Sequence, residues 1–210
     1  MKTLIWDFNG TIVDDTALCL DIENKMLANR NMPHPYSLEW YKEHFSFPVI
    51  DYYRLMGHQF EEESFEDISI EFNEIYNLRF HECGLMKGFM EKITEAIEKG
   101  YSNIILSASR QDNLLRQCES LGIKKYFEEI LGIDNLLAGS KIEMAKRWMR
   151  NKDVSPKDCI YIGDSVHDYE TADSLDIDNC WLVACGHQSY QVLKKVSDQV
   201  VYTLDEVILD

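Results

Sequence analysis

The feature that most constrains this chain is a set of short apolar runs, each ending in a small or polar residue. Leu4-Ile5-Trp6 ends in Asp7, Ile104-Ile105-Leu106 in Ser107-Ala108-Ser109, and Cys159-Ile160-Tyr161-Ile162 in Gly163-Asp164. Short apolar runs bounded by turn residues read as buried strands. Phe127 to Ile133, Cys180 to Ala184 and Gln199 to Tyr202 supply further, shorter candidates. Between them lie helical patterns. Leu18, Ile22, Met26 and Leu27 repeat at three- and four-residue spacing over about 16 to 30, and Met90, Ile93, Ala96 and Ile97 do so before Gly100. Helices are also expected over 111–121, from Ser140 through Met149 in a capping-box pattern, and after Asp168. Strands alternating with helices predict an α/β fold with a doubly wound parallel sheet. Right-handed crossovers then bring the strand ends to one rim, where such sheets build their sites.

Residues 36–83 break the alternation. They carry no convincing strand pattern, only short helices around Trp40 and Tyr52 and a longer one with Phe65, Ile68, Phe72, Ile75, Tyr76 and Phe80 on one side. The aromatic stripe is a packing pattern. The expected organisation is a core of residues 1–15 and 84–210, with a helical domain, 16–83, inserted into it. Hinges are expected near 14–16 and 82–86.

Composition removes several function classes. The 210 residues include 37 acidic against 21 basic, a formal net charge of -16. Nucleic acid and anionic membrane surfaces both need a basic face, so neither is an expected partner. No apolar run approaches the ~20 residues of a membrane-spanning helix. The N-terminus reaches Asp7 too early for a signal peptide, so a cytoplasmic protein is expected. Six scattered cysteines without a CxxC pair read as reduced, mostly buried thiols rather than a zinc site. A monomer or a homodimer would suit this composition.

The rim collects polar groups from distant parts of the sequence: Asp7, Asn9, Ser107, Asp164 and Asp168, with Lys141 at a helix start. Clustered carboxylates repel unless a cation sits among them. Mg²⁺ accepts one or two carboxylates and leaves room for a phosphate oxygen, and Mn²⁺ accepts the same donors. A hydroxyl, an ammonium and free backbone N–H groups are what a phosphate accepts. The set reads as Mg²⁺-assisted phosphoryl chemistry on a small phosphorylated metabolite.

In order and type these residues resemble the haloacid dehalogenase-like superfamily of phosphatases, with a helical cap inserted after the first motif. Asp7-Phe8-Asn9-Gly10-Thr11 is similar to its first motif, Asp-x-Asp-Gly-Thr. Ser107 looks like its second motif, Lys141 its third, and Gly163 to Asp168 its fourth. The general pattern is similar to the phosphoglycolate phosphatase-like branch. The resemblance implies that Asp7 is the nucleophile and forms an aspartyl phosphate. It implies that Ser107, Ala108 and Lys141 bind the phosphate. Asp7, Asp164, the backbone carbonyl of Asn9 and Asp168 would surround Mg²⁺, with Asp168 orienting Lys141 or a metal-bound water.

One residue departs from the pattern. The family's second Asp is the general acid and base, and here it is Asn9, whose amide neither gives nor takes a proton at neutral pH. Losing such help costs about 10²–10⁴ in rate. Three readings stay open: a slow phosphatase, or one that recruits another base such as His44, His58 or His81; a non-catalytic phospholigand-binding protein; and an Asn introduced to arrest turnover. Lys42 and Arg54 in the insertion are candidates for holding an anionic substrate tail.

Overall fold

The computed structural model describes residues 2–133 and 141–209. A six-stranded parallel sheet has the order β5-β4-β1-β6-β7-β8, formed by β1 (Thr3–Trp6), β4 (Ser102–Arg110), β5 (Glu129–Ile133), β6 (Cys159–Gly163), β7 (Cys180–Val183) and β8 (Val200–Val201). Helices α5 (Phe89–Glu98), α6 (Gln111–Ser120), α7 (Lys141–Lys152), α8 (Val166–Ser174) and α9 (Tyr190–Leu193) connect them. The α/β expectation therefore holds. Successive strand side chains point to opposite faces, and β1 shows it. Leu4 and Trp6 enter one apolar cluster with Ile93, Ala96, Leu114 and Cys118. Ile5 enters the other with Ala145, Met149 and Ala172. Helices thus cover both faces, which is why the strands read as continuous apolar runs.

Strand β1 is central. Its Trp6 pairs with Ile105 of β4 on one side and Ile162 of β6 on the other. The order runs outward from β1 in both directions, so its end lies where the connections diverge. Strand β4 outruns β1 by several residues, and its register with β5 shifts between Leu106 and Arg110. Ser140, the expected cap of α7, lies outside the described residues.

Between β1 and α5 the chain leaves the sheet. Two short strands, β2 (Val13–Asp14) and β3 (Gly84–Leu85), pair antiparallel. They are too short to show a period in the sequence. Between them come α1 (Thr16–Asn29), α2 (Leu38–His44), α3 (Val49–Leu55) and α4 (Phe65–Arg79). Ser37 and Ser64 cap α2 and α4 by accepting backbone N–H bonds, a common helix start. Tyr41, Tyr52, Tyr53, Ile68 and Tyr76 are buried among these helices. No helix among the described residues is long and apolar enough to cross a membrane.

The insertion is closed onto the core through α2 and segment 184–189. Lys42 Nζ donates to the carbonyls of Ala184 (3.0 Å) and Cys185 (3.1 Å). Ser189 N donates to Lys42 O at 2.8 Å, and Gln188 Nε2 to Phe45 O at 2.7 Å. Phe47 stacks on His167 at 4.7 Å.

Within the insertion, Glu23 is buried and accepts from Tyr52 Oη at 2.8 Å. Burial pushes its carboxyl from 4.5 up to about 8, against the smaller opposing effect of Tyr52. The folded chain keeps this proton while the unfolded chain releases it. Stability is therefore expected to fall as pH rises from 4.5 to about 8. Denaturation curves across that window should show Glu23→Gln flattening the dependence, with a difference on the order of a few kcal/mol at the alkaline end.

Candidate active site

The end of β1 is tied to β6, with Asp7 N donating to Ile162 O at 2.8 Å. This sets the Asp7 carboxyl at the rim, where its Oδ1 accepts from Lys141 Nζ at 2.5 Å. The same ammonium donates to Asp168 Oδ1 at 2.7 Å. Lys141 opens α7, where a cation opposes the helix dipole. Two carboxylates compensate. Burial alone would lower its pKa, but Asp168 and Asp7 outweigh that and raise it well above the ordinary value.

Asp168 is held from all sides. Its Oδ2 accepts from Ser165 Oγ (2.6 Å), Ser165 N (3.1 Å) and Asp164 N (3.2 Å), and Tyr161 Oη donates to Oδ1 at 3.2 Å. Ser165 and Asp168 form a capping box, so α8 starts at Val166 rather than after Asp168 as expected. The Ser-x-x-Asp spacing carried that signal. Burial raises the Asp168 pKa, but Lys141 and Ser165 hold it below its usual range.

Asp164 ends β6 and is nearly enclosed. Its Oδ1 accepts from Thr11 Oγ1 at 3.0 Å and its Oδ2 from His187 N at 2.6 Å. The turn after Asn9 presses against it. Gly10 has φ +71°, and a Cβ there would lie 2.3 Å from Asp164 Oδ2. A side chain is excluded by both the conformation and the space. Burial, reinforced by neighbouring carboxylates, pushes Asp7 up to about 8 and Asp164 up to about 6. Oxygens of Asp7, Asp164 and Asp168 lie within 4.8 Å of one another. A carboxylate cluster in which burial and like charge raise two of the three pKa values is suited to a hard divalent cation.

Ser107 is buried near the end of β4, and its Oγ accepts from Ser109 N at 3.1 Å. Ala108 follows it and is exposed. Ser109 Oγ in turn donates to Asn9 Oδ1 at 3.0 Å. The other end of the Asn9 amide faces away, with Nδ2 donating to Asp15 Oδ2 (2.7 Å) and meeting Tyr76 Oη at 2.8 Å. Asp15 is itself buried. Its Oδ2 also accepts from Tyr76 Oη (2.6 Å), and its Oδ1 accepts from Gly10 N (2.9 Å) and pairs with His187 Nε2 (3.2 Å). Tyr41 Oη meets the other ring nitrogen of His187 at 2.8 Å. Burial pushes Asp15 up, but His187 and the hydrogen bonds from Tyr76 and Asn9 together outweigh it, and the carboxyl sits below its ordinary range. For His187 burial opposes the charge, and Asp15 nevertheless raises it to about 9.

The structure thus gathers Asp7, Asn9, Ser107, Lys141, Asp164 and Asp168 at one rim. Of the other candidates, Lys42 lies close enough to Asp164 to feel its charge, and the rest are engaged within the insertion. His44 Nδ1 bonds Trp40 O, His81 Nδ1 bonds Leu78 O, and His58 packs against Tyr53 and Phe60. Lys42 is used on core carbonyls, and Arg54 pairs with Asp51 in solvent. Asp15, Tyr76, Ser109, Thr11 and His187 join the site without having been singled out from the sequence. Asp15 adjoins the first motif, but His187 lies in a loop with no local signature.

The family model described as haloacid dehalogenase-like hydrolase matches residues 4–182. The chain belongs to that family. No curated protein matches the sequence. Among solved structures, a predicted phosphatase from Clostridium acetobutylicum is similar at 19% identity and TM-score 0.80, covering 98% of this chain and 95% of that one. A predicted phosphoglycolate phosphatase from Haemophilus somnus 129PT is 17% identical at TM-score 0.74, with 97% and 95% covered. An Asp-to-Asn mutant of CbbY from Rhodobacter sphaeroides, in complex with xylulose-1,5-bisphosphate, is 19% identical at TM-score 0.74, with 98% and 96% covered.

Lys141 is 4% exposed and neutralises two carboxylates. Lys141→Met is expected to cost about 3–5 kcal/mol in denaturant unfolding, because it leaves buried charge uncompensated. Asp7→Asn, which keeps the shape and removes one charge from the cluster, should cost much less.

Proposed function

We propose that this chain is a Mg²⁺-dependent phosphatase of small phosphomonoesters, acting through an aspartyl phosphate at Asp7 and releasing phosphate slowly. The observation that carries this reading is the line Asp7–Lys141–Asp168 beside Asp164, at the end of the central strand. In it Asp7 attacks phosphorus, the bond from phosphorus to the substrate oxygen breaks, and the leaving oxygen departs with that electron pair and takes its proton from solvent. Lys141, fixed by Asp168, offsets charge on Asp7 and the phosphoryl oxygens. The Ser107 hydroxyl and the Ala108 backbone would hold those oxygens. Asp7, Asp164 and the Asn9 carbonyl would bind Mg²⁺, and Asp168 acts mainly through Lys141. When bound, the cation supplies further neutralisation of the phosphoryl charge.

Asn9 shapes the second half of the reaction. Its amide cannot protonate the leaving oxygen or deprotonate the attacking water. Substrates with acidic leaving groups tolerate the first loss, while phospho-enzyme hydrolysis bears the second. The likeness to a phosphoglycolate phosphatase and to a sugar-bisphosphate complex supports a small phosphorylated metabolite as substrate. A cytoplasmic enzyme, monomeric or homodimeric, fits this role.

A second reading is favoured by the engagement of both ends of the Asn9 amide: a protein that binds phospholigands without turning them over. Rapid mixing with an aryl phosphate and Mg²⁺ separates the two. The phosphatase reading expects a burst of about one equivalent of aryl alcohol followed by a slow steady state, both lost in Asp7→Asn. Phosphate binding without any burst would favour the second reading, and an active Asp7→Asn would refute the nucleophile assignment.

A further inference from the structure

Residue 9 sits between two hydroxyls and one carboxylate, with Tyr76 Oη 2.8 Å from its Nδ2 and already donating to Asp15. Ser109 Oγ reaches its Oδ1, while the Asp15 carboxylate, which can only accept, faces its Nδ2 at 2.7 Å. Asp15 cannot turn away. It is 1% exposed, and both its oxygens are occupied by donors from Gly10, Tyr76, Asn9 and His187. Cys19 and His187 lie close enough to share a metal with Asp15, but those donors already fill the carboxylate. A carboxylate at position 9 would replace the donor facing Asp15 with a second acceptor and put a second negative charge, at a part-buried position, against it. The acceptor end has no such restriction, because a hydroxyl bonds an amide or a carboxylate oxygen equally well.

We propose that Asp15 is a positioning residue that selects an amide at position 9 and fixes its oxygen toward Ser109, so that an aspartate at position 9 works only when residue 15 is uncharged. Position 9 joins the nucleophile turn to the Ser107–Ser109 loop through this bond. Its side chain is therefore part of the geometry between the attacking carboxylate and the phosphate loop. The asparagine is matched to its surroundings: the carboxylate stands six residues later, on the far side of the amide, paired with His187.

The catalytic consequence rests on the phosphatase reading, whereas the structural coupling does not, and a double-mutant cycle separates them. Asn9→Asp, Asp15→Asn and the double variant are compared with the parent by thermal melting and by steady-state hydrolysis of an aryl phosphate with Mg²⁺. Asn9→Asp alone is expected to lower Tm by about 5 °C or more without raising kcat. Its partner substitution in the double variant turns a donor back toward residue 9. There Tm should exceed the sum of the two single shifts, and kcat should rise at least ~10-fold at similar KM, within the range that proton transfer supplies. Failure of Asn9→Asp to fold, with recovery in the double variant, supports the coupling equally. Additive Tm shifts, or a kcat gain in Asn9→Asp alone that matches the double variant, would overturn it. Coupled melting with no turnover or burst in any variant upholds the role of Asp15 and defeats the phosphatase reading instead.

Discussion

Negative charge buried at the carboxyl ends of β1 and β6 is the constraint on which the rest of the site depends. Asp7, Asp164, Asp168 and Asp15 stand within one turn-rich region, and the cations that touch them are Lys141 and His187. Each cation takes a specific partner. Lys141 bridges Asp7 and Asp168, and His187 pairs with Asp15 while its charge also acts on Asp164. Asp164 receives only neutral hydrogen-bond donors, Thr11 and the His187 backbone. The unbalanced remainder lies on Asp7 and Asp164, the two groups whose pKa values burial and like charge push up. A divalent cation and the phosphoryl group it accompanies would enter at that imbalance. Coulombic attraction is strong among largely buried groups, so small displacements of any carboxylate carry large energetic weight.

How much of this was legible in the sequence follows from the range of each interaction. Buried parallel strands are apolar on both faces, so Leu4 to Trp6, Ile104 to Leu106 and Cys159 to Ile162 announced themselves. Each also ends on the residue it delivers, which brought Asp7, Ser107 and Asp164 to notice without coordinates. The start of α8 was expected too late, after Asp168, although Ser165 and Asp168 have capping-box spacing. The β2–β3 pair was not legible, because two residues cannot show a period. Nor was the network around Asn9. Its members come from the residue before α1, from α4, from the end of β4 and from segment 184–189, and nothing local in Tyr76 or His187 distinguishes them from packing residues.

Charged residues on the insertion show the opposite error. Lys42 and Arg54 look alike in sequence, as bases on short amphipathic helices. In the fold Arg54 is solvated beside Asp51, while Lys42 is half-buried and spends its ammonium on two main-chain carbonyls. Side-chain type told of available chemistry and said nothing of which way each helix face turned. His44, His58 and His81 are likewise engaged within the insertion, while the histidine that does reach the Asn9 network belongs to the core.

Segment 184–189 has two loads. Its carbonyls and Gln188 receive α2, and the backbone of His187 donates to Asp164. Gly186 is pressed so closely against Asp164 and Gly10 that a Cβ there would sit 2.2 Å from Asp164 Oδ2. Such packing leaves no slack to absorb a movement of the segment. Any displacement of α2 from the core would pull on the same six residues that hydrogen-bond and pack against Asp164. The docking of the helices between β2 and β3 and the placing of this carboxylate therefore share one anchor.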